Sequence, residues 1–127
     1  MKKNISSEKL PKPIGPYSTA VINDNYLYTS GQIALNKIGS ELINGSMKEQ
    51  TLITLDNINT ILTEVGISKQ SILKLTVYVT DLSKFSEVND AFNSFFENFD
   101  FPARTTIEVA GLPLGACVEI DCIAAIK

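Results

Sequence analysis

Hydrophobic and polar positions change period several times along the chain, and each change marks an element. From Tyr17, Ser18-Thr19-Ala20-Val21-Ile22 runs into the turn formers Asn23-Asp24-Asn25 and then Tyr26-Leu27-Tyr28-Thr29-Ser30, which predicts two strands joined as a hairpin. Gly31 to Leu35 continues as a short third strand, with Gly31 marking a bend or a close approach to the backbone. Ser46 followed by Glu49 fits a capping box, and Leu55, Ile58, Leu62 and Val65 recur at helical spacing before Gly66, a left-handed C-terminal cap. The next run, Ile72 to Val79, alternates: Leu73, Leu75, Val77 and Val79 on one face, Lys74, Thr76 and Tyr78 on the other. Asp81-Leu82-Ser83 opens a second helix whose stripe of Phe85, Val88, Phe92 and Phe95 reads as core packing against the sheet.

The last stretch carries the candidate chemistry. Phe101 to Asp121 reads as two strands joined by a turn at Gly111-Leu112-Pro113-Leu114-Gly115. In the first strand Arg104, Thr106 and Glu108 share a face; in the second, Glu119 and Asp121 lie opposite Val118, Ile120 and Cys122. Pairing of the two strands would gather a cation, a hydroxyl and carboxylates on one face, a set able to hold a small carboxylate and position a water. The element order is βββαβαββ, an α+β fold. Its two helices pack on the face of Leu75, Val77, Ile120 and Cys122, leaving Arg104, Thr106, Glu119 and Asp121 for a second subunit to cover. Residues 1–16, with Pro11, Pro13, Pro16 and Gly15, form an extended lead-in.

Composition narrows the function classes. A chain of 127 residues with 44% hydrophobic content is expected to form a single domain, residues 1–127. The net charge of -3 and pI near 4.9 argue against nucleic acid as partner. The sequence has neither an apolar leader nor a membrane-length apolar run, so a cytoplasmic, membrane-free protein is expected. It contains no histidine, which removes the usual proton shuttle and the commonest zinc ligand, so no metal site is expected. Cys117 and Cys122 fall on opposite faces of the predicted strand and read as reduced packing residues.

Five blocks in order, Ile14-Gly15-Pro16-Tyr17, Thr29-Ser30-Gly31-Gln32-Ile33, Val88-Asn89, Pro102-Ala103-Arg104-Thr105 and Leu112-Pro113 followed by Val118-Glu119-Ile120, resemble the RidA/YjgF family of reactive intermediate deaminases over nearly the whole chain. The resemblance implies a chorismate-mutase-like fold, a mixed sheet with two helices on one face. It also implies a homotrimer with clefts between subunits. The implied reaction is cofactor-independent hydrolysis of 2-aminoacrylate, 2-iminopropionate or 2-iminobutanoate to 2-keto acids and ammonia. Arg104 matches the family's carboxylate anchor, a role suited to a planar guanidinium. Glu119 matches the residue that positions or deprotonates water. Tyr17 matches a residue closing over the cleft, Ser30 and Gly31 line it, and Asn89 matches a recurrent helix position. Many relatives carry Cys where this chain has Thr106, so that position would act through a hydroxyl, a backbone group or shape. The competing expectation is a small-carboxylate-binding regulatory trimer with little catalysis; a ribonuclease is disfavoured by the charge and the missing histidine.

Overall fold

The computed structural model describes residues 1–6 and 8–126. Its strands are β1 (Lys3–Ile5), β2 (Ala20–Asn23), β3 (Tyr26–Thr29), β4 (Ile72–Val79), β5 (Ala103–Glu108) and β6 (Val118–Ala125), with helices α1 (Met47–Glu64) and α2 (Phe85–Phe95). They form one six-stranded sheet in the order β1-β2-β3-β6-β4-β5, antiparallel except for the parallel pair β4–β5. Both helices cover one face, where Leu55, Ile58 and Leu62 of α1 and Val88 and Phe92 of α2 join Leu27, Leu75, Val77, Val118, Ile120 and Cys122 in a single core. The α+β mixed sheet with two helices on one face is thus present.

Local sequence explains the element ends. At the start of α1, Ser46 Oγ accepts from the Glu49 N–H at 3.1 Å, and Glu49 Oε1 accepts from the Ser46 N–H at 3.0 Å. At its end Gly66, at φ +79, lets the Ile67 N–H reach Leu62 O at 3.0 Å and its own N–H reach Thr63 O at 3.0 Å, the Schellman arrangement. Asp81 accepts from the Ser83 N–H at 3.0 Å to begin a 3-10 turn that leads into α2.

Four expectations need correction. The order βββαβαββ holds, but the strand that accompanies the hairpin is β1 (Lys3–Ile5), ahead of it in the chain and inside the proline-containing lead-in. Gly31 to Leu35 is no strand; it makes isolated bridges, Gln32 to Ile120 and Leu35 to Leu42. Leu73 is exposed and Ile72 buried, because a register shift between Ile72 and Lys74 interrupts the alternation. Most consequentially, β5 and β6 do not pair: β4 lies between them.

That insertion fixes the faces. On β4, Leu75 and Val77 are buried; across β6 they pair with Cys122 and Ile120, and across β5 with Arg104 and Thr106. Arg104 and Thr106 therefore lie on the helix-covered side. Glu119 and Asp121 pair with Tyr78 and Thr76 on the other side, together with Ile107, which is 43% exposed. The expected gathering of Arg104, Thr106, Glu119 and Asp121 on one face does not occur within one chain. Alternation fixes the phase inside a strand, but only the register with neighbours decides which phase faces the helices.

Candidate functional site

The candidate residues fall into two groups. The first lies where the chain leaves β3. Thr29 Oγ1 accepts the Cys122 N–H at 2.9 Å, replacing a ladder bond, and the chain then returns to β6 through Gln32, whose N–H and C=O pair with Ile120 at 2.8 and 2.9 Å. The far side of this segment is held by α1: Asn57, buried, donates from Nδ2 to Leu35 O at 3.0 Å and Ile33 O at 3.3 Å. A side chain thus satisfies carbonyls that a strand neighbour would otherwise take. Asn57 escaped the sequence reading, although a carboxamide one position before the apolar Ile58 was its visible signal.

This anchoring presses Gly31 against Glu119. A Cβ at Gly31 would stand 2.7 Å from Glu119 Cδ and closer still to the carboxylate oxygen. Gly31→Ala is therefore expected to turn the Glu119 side chain aside without unfolding the protein. If Glu119 handles the reacting water, kcat should fall about 10²-fold with little change in KM, as steady-state kinetics would show. Tyr17 and Glu119 join Gly31 in lining a cleft of about 40 Å³, room enough for water. The Tyr17 hydroxyl accepts the Ile14 N–H at 3.3 Å, and the ring is 45% exposed. Ser30 is adjacent, but its hydroxyl is already committed, donating to Ser18 O at 2.5 Å. Burial raises the Glu119 carboxyl above its ordinary value of 4.5, and the neighbouring Asp121 raises it further. Asp121 itself accepts the Tyr78 hydroxyl at 3.3 Å.

The second group lies across the sheet. Arg104 on β5 reaches α2, where its Nη2 donates to Asn89 Oδ1 at 2.7 Å and its guanidinium carbon lies 5.2 Å from the Phe85 ring centroid and 4.7 Å from that of Phe92. Phe85 is 40% exposed, so it is not the core residue its stripe suggested; Phe92, at 4%, is. Desolvation lowers the Arg104 pKa from its ordinary value of 12.5, and the residue stays cationic. Beside it runs an open groove of about 350 Å³ flanked by Phe92, Phe101 and Pro102. Thr106, two residues along the same face, has its Oγ1 shielded from solvent without a hydrogen-bond partner among the described residues.

Within one chain, then, Tyr17, Gly31 and Glu119 come together, and Arg104 joins Asn89, but the two groups lie on opposite faces of the sheet with β4 between their strands. Among the described residues no cluster of His, Cys, Asp and Glu suits a metal ion, and no helix is long and apolar enough to cross a membrane. The Cys122 thiol is pushed up to about 12, chiefly by burial, and Cys117 is also raised, so neither is poised as a thiolate.

Comparison with known proteins agrees with this architecture. Residues 7–126 match the family model described as Endoribonuclease L-PSP. The chain is 40% identical over 124 residues to a 2-iminobutanoate/2-iminopropanoate deaminase of Bos taurus, covering 98% of this chain and 90% of the relative. Among solved structures, a Rid-family protein of unknown function from Yersinia pestis superposes with a TM-score of 0.93 at 40% identity, covering 98% of this chain and 99% of that one. TdcF of E. coli with bound serine gives a TM-score of 0.92 at 32% identity, again over 98% and 99% of the two chains. By sequence along nearly its whole length, and by a fold shared with those structures, the chain belongs to the RidA/YjgF family.

Proposed function

We propose that this protein hydrolyses reactive enamine and imine acids, such as 2-aminoacrylate, 2-iminopropionate and 2-iminobutanoate, to 2-keto acids and ammonia, without a cofactor. The observation that carries the reading is Arg104. It is a half-buried cation whose hydrogen-bond and ring partners, Asn89, Phe85 and Phe92, are all neutral, and no carboxylate among the described residues pairs with it. A desolvated guanidinium without an anion suits a ligand carboxylate, which its planar fork can take through two parallel hydrogen bonds. The unpartnered Thr106 hydroxyl offers a further polar contact beside it. The deaminase name of the Bos taurus relative supports the reaction class.

In this reading Glu119 accepts a proton from water as the water oxygen bonds to the imine carbon. The species attacked is the protonated imine, which 2-aminoacrylate becomes by taking a proton on its methylene carbon. Glu119 returns the water's proton to the carbinolamine nitrogen, the C–N bond breaks to release ammonia, and the hydroxyl proton passes to solvent, leaving the keto acid. Tyr17 closes over the cleft. A raised Glu119 pKa suits a proton acceptor, because a stronger base shares the proton further in the transition state.

One substrate cannot touch Arg104 and Glu119 of the same chain, because their side chains leave opposite faces and their strands are two strand spacings apart, about 10 Å. A second copy must bring its Glu119 side to the Arg104 side of the first. Clefts repeated around a homotrimer meet this need and cover the open face bearing Ile107, Tyr26 and Tyr28. Mixing unfolded Arg104→Ala and Glu119→Gln chains and refolding them together should restore about a quarter of wild-type activity, one intact cleft in four. Activity no greater than the sum of the two variants would refute the shared cleft.

The reaction itself is tested by adding the purified protein to 2-aminoacrylate generated from serine by a dehydratase and following ammonia and pyruvate. Acceleration is expected. The serine bound in the E. coli neighbour favours the second reading, a small-carboxylate-binding regulatory trimer. Tight 2-keto acid binding with no acceleration, on bulkier imino acids as well, would establish that one instead.

A further inference from the structure

Phe85, Asn89 and Phe92 stand at positions i, i+4 and i+7 of α2, one stripe along the helix, and all three touch the Arg104 guanidinium. Phe92 also serves the core. Phe85, 40% exposed, sits at the first turn of α2 and does not belong to the core cluster. Packing therefore gives only a partial reason for an aromatic ring at this place, and its contact with Arg104 supplies another.

A flexible Arg loses its rotamer freedom when it captures a ligand, so an anchor that is already oriented binds more tightly. The choice of restraint matters. A carboxylate would hold the guanidinium but neutralise it and occupy the fork that a substrate needs. The face of an aromatic ring attracts the cation through its quadrupole, takes none of the N–H donors and leaves the net charge intact. Asn89 accepts a single Nη2 hydrogen and is likewise neutral.

We infer that Phe85 is a positioning residue for substrate capture: with Phe92 and Asn89 it fixes the Arg104 guanidinium so that its remaining N–H donors are presented, charged and pre-oriented, to the substrate carboxylate. The inference rests on Arg104 being the carboxylate anchor. It assigns α2 a part in recognition separate from its part in the core.

Phe85→Leu keeps an apolar side chain of similar bulk but has no aromatic face, and Phe85→Trp restores a face with a stronger quadrupole. With 2-oxobutanoate as the calorimetric probe, Phe85→Leu should weaken binding about three- to tenfold and raise KM in parallel. Its kcat should stay within about twofold. Phe85→Trp should recover wild-type affinity, and the melting temperatures of both variants should lie within about 4 °C of the parent. Unchanged affinity in Phe85→Leu would overturn the inference, as would a Trp variant no better than the Leu one. Arg104→Ala run beside them separates the two levels. If it binds 2-oxobutanoate like wild type, the anchor itself is wrong; if it loses binding while Phe85→Leu keeps it, only the positioning role falls.

Discussion

Arg104→Ala is expected to lower kcat/KM for imine hydrolysis by about 10²–10⁴-fold while leaving the protein folded. The size follows from what is removed: leaving one partner of a desolvated, hydrogen-bonded charge pair unmatched costs about 3–5 kcal/mol, and each 1.36 kcal/mol is a factor of ten. Most of the loss should fall on KM, because the carboxylate is gripped in the ground state and the transition state alike. Affinity for 2-keto acids should drop with it. Folding survives because Arg104 stands on the edge strand β5 and its removal relieves a partly desolvated cation. Arg104→Lys should recover only part of the activity, since an ammonium is a point charge that cannot present two parallel N–H bonds and stacks less well against Phe85 and Phe92. Steady-state kinetics and calorimetric titration with 2-oxobutanoate, with thermal melts as the folding control, check all of this. A melting temperature that collapses along with activity would assign Arg104 a structural role.

Glu119→Gln should reduce kcat by about 10²–10⁴-fold, the usual worth of a positioned proton acceptor, and leave KM nearly unchanged. The same substitution should stabilise the fold near neutral pH. Burial and Asp121 raise the Glu119 pKa above 4.5, so the folded protein binds this proton more tightly than the unfolded chain does. A carboxyl raised in this way contributes its stability fully below the unfolded value and loses it as pH climbs through the folded value. At neutral pH the ionised Glu119 therefore works against folding, and an isosteric amide removes the penalty. The advantage of Glu119→Gln in thermal melts should shrink as the pH is lowered and vanish below about 4.5. Wild-type kcat/KM should rise with pH along an acid limb centred above that same ordinary value, a limb absent from the Gln variant's residual rate. Equal activity of the two proteins would remove Glu119 from the chemistry.

Where local physics decides the structure, the sequence was readable. Ser46 and Glu49 announce the start of α1, Gly66 its end, and Asp24-Asn25 the hairpin turn, because each satisfies backbone groups or supplies a conformation within a few residues. Legibility failed where distant partners decide. Lys3–Ile5 is too short and too polar to signal a strand, and only pairing with β2 makes it one. The carbonyls of Ile33 and Leu35 go to the Asn57 side chain, so a stretch composed like a strand is held as a loop. Arg104 and Thr106 were expected on the uncovered face, yet the parallel register with β4 turns them toward the helices. Tyr17, Gly31 and Glu119, grouped only through the family resemblance, line one cleft, whereas Arg104, read as sharing a face with Glu119, lies across the sheet.

The division of Arg104 and Glu119 between opposite faces also ties chemistry to mass action. In the proposed assembly, a bound keto acid touches two chains at once and has affinity only for their joined form. Each occupied cleft therefore strengthens that form by RT ln(1 + [L]/Kd), about 2.7 kcal/mol at a hundredfold excess over Kd. Specific activity per chain becomes a function of protein concentration and falls on dilution, while accumulating product delays the fall. A chain held in quaternary equilibrium in this way would be steadiest when the metabolites it handles are most abundant.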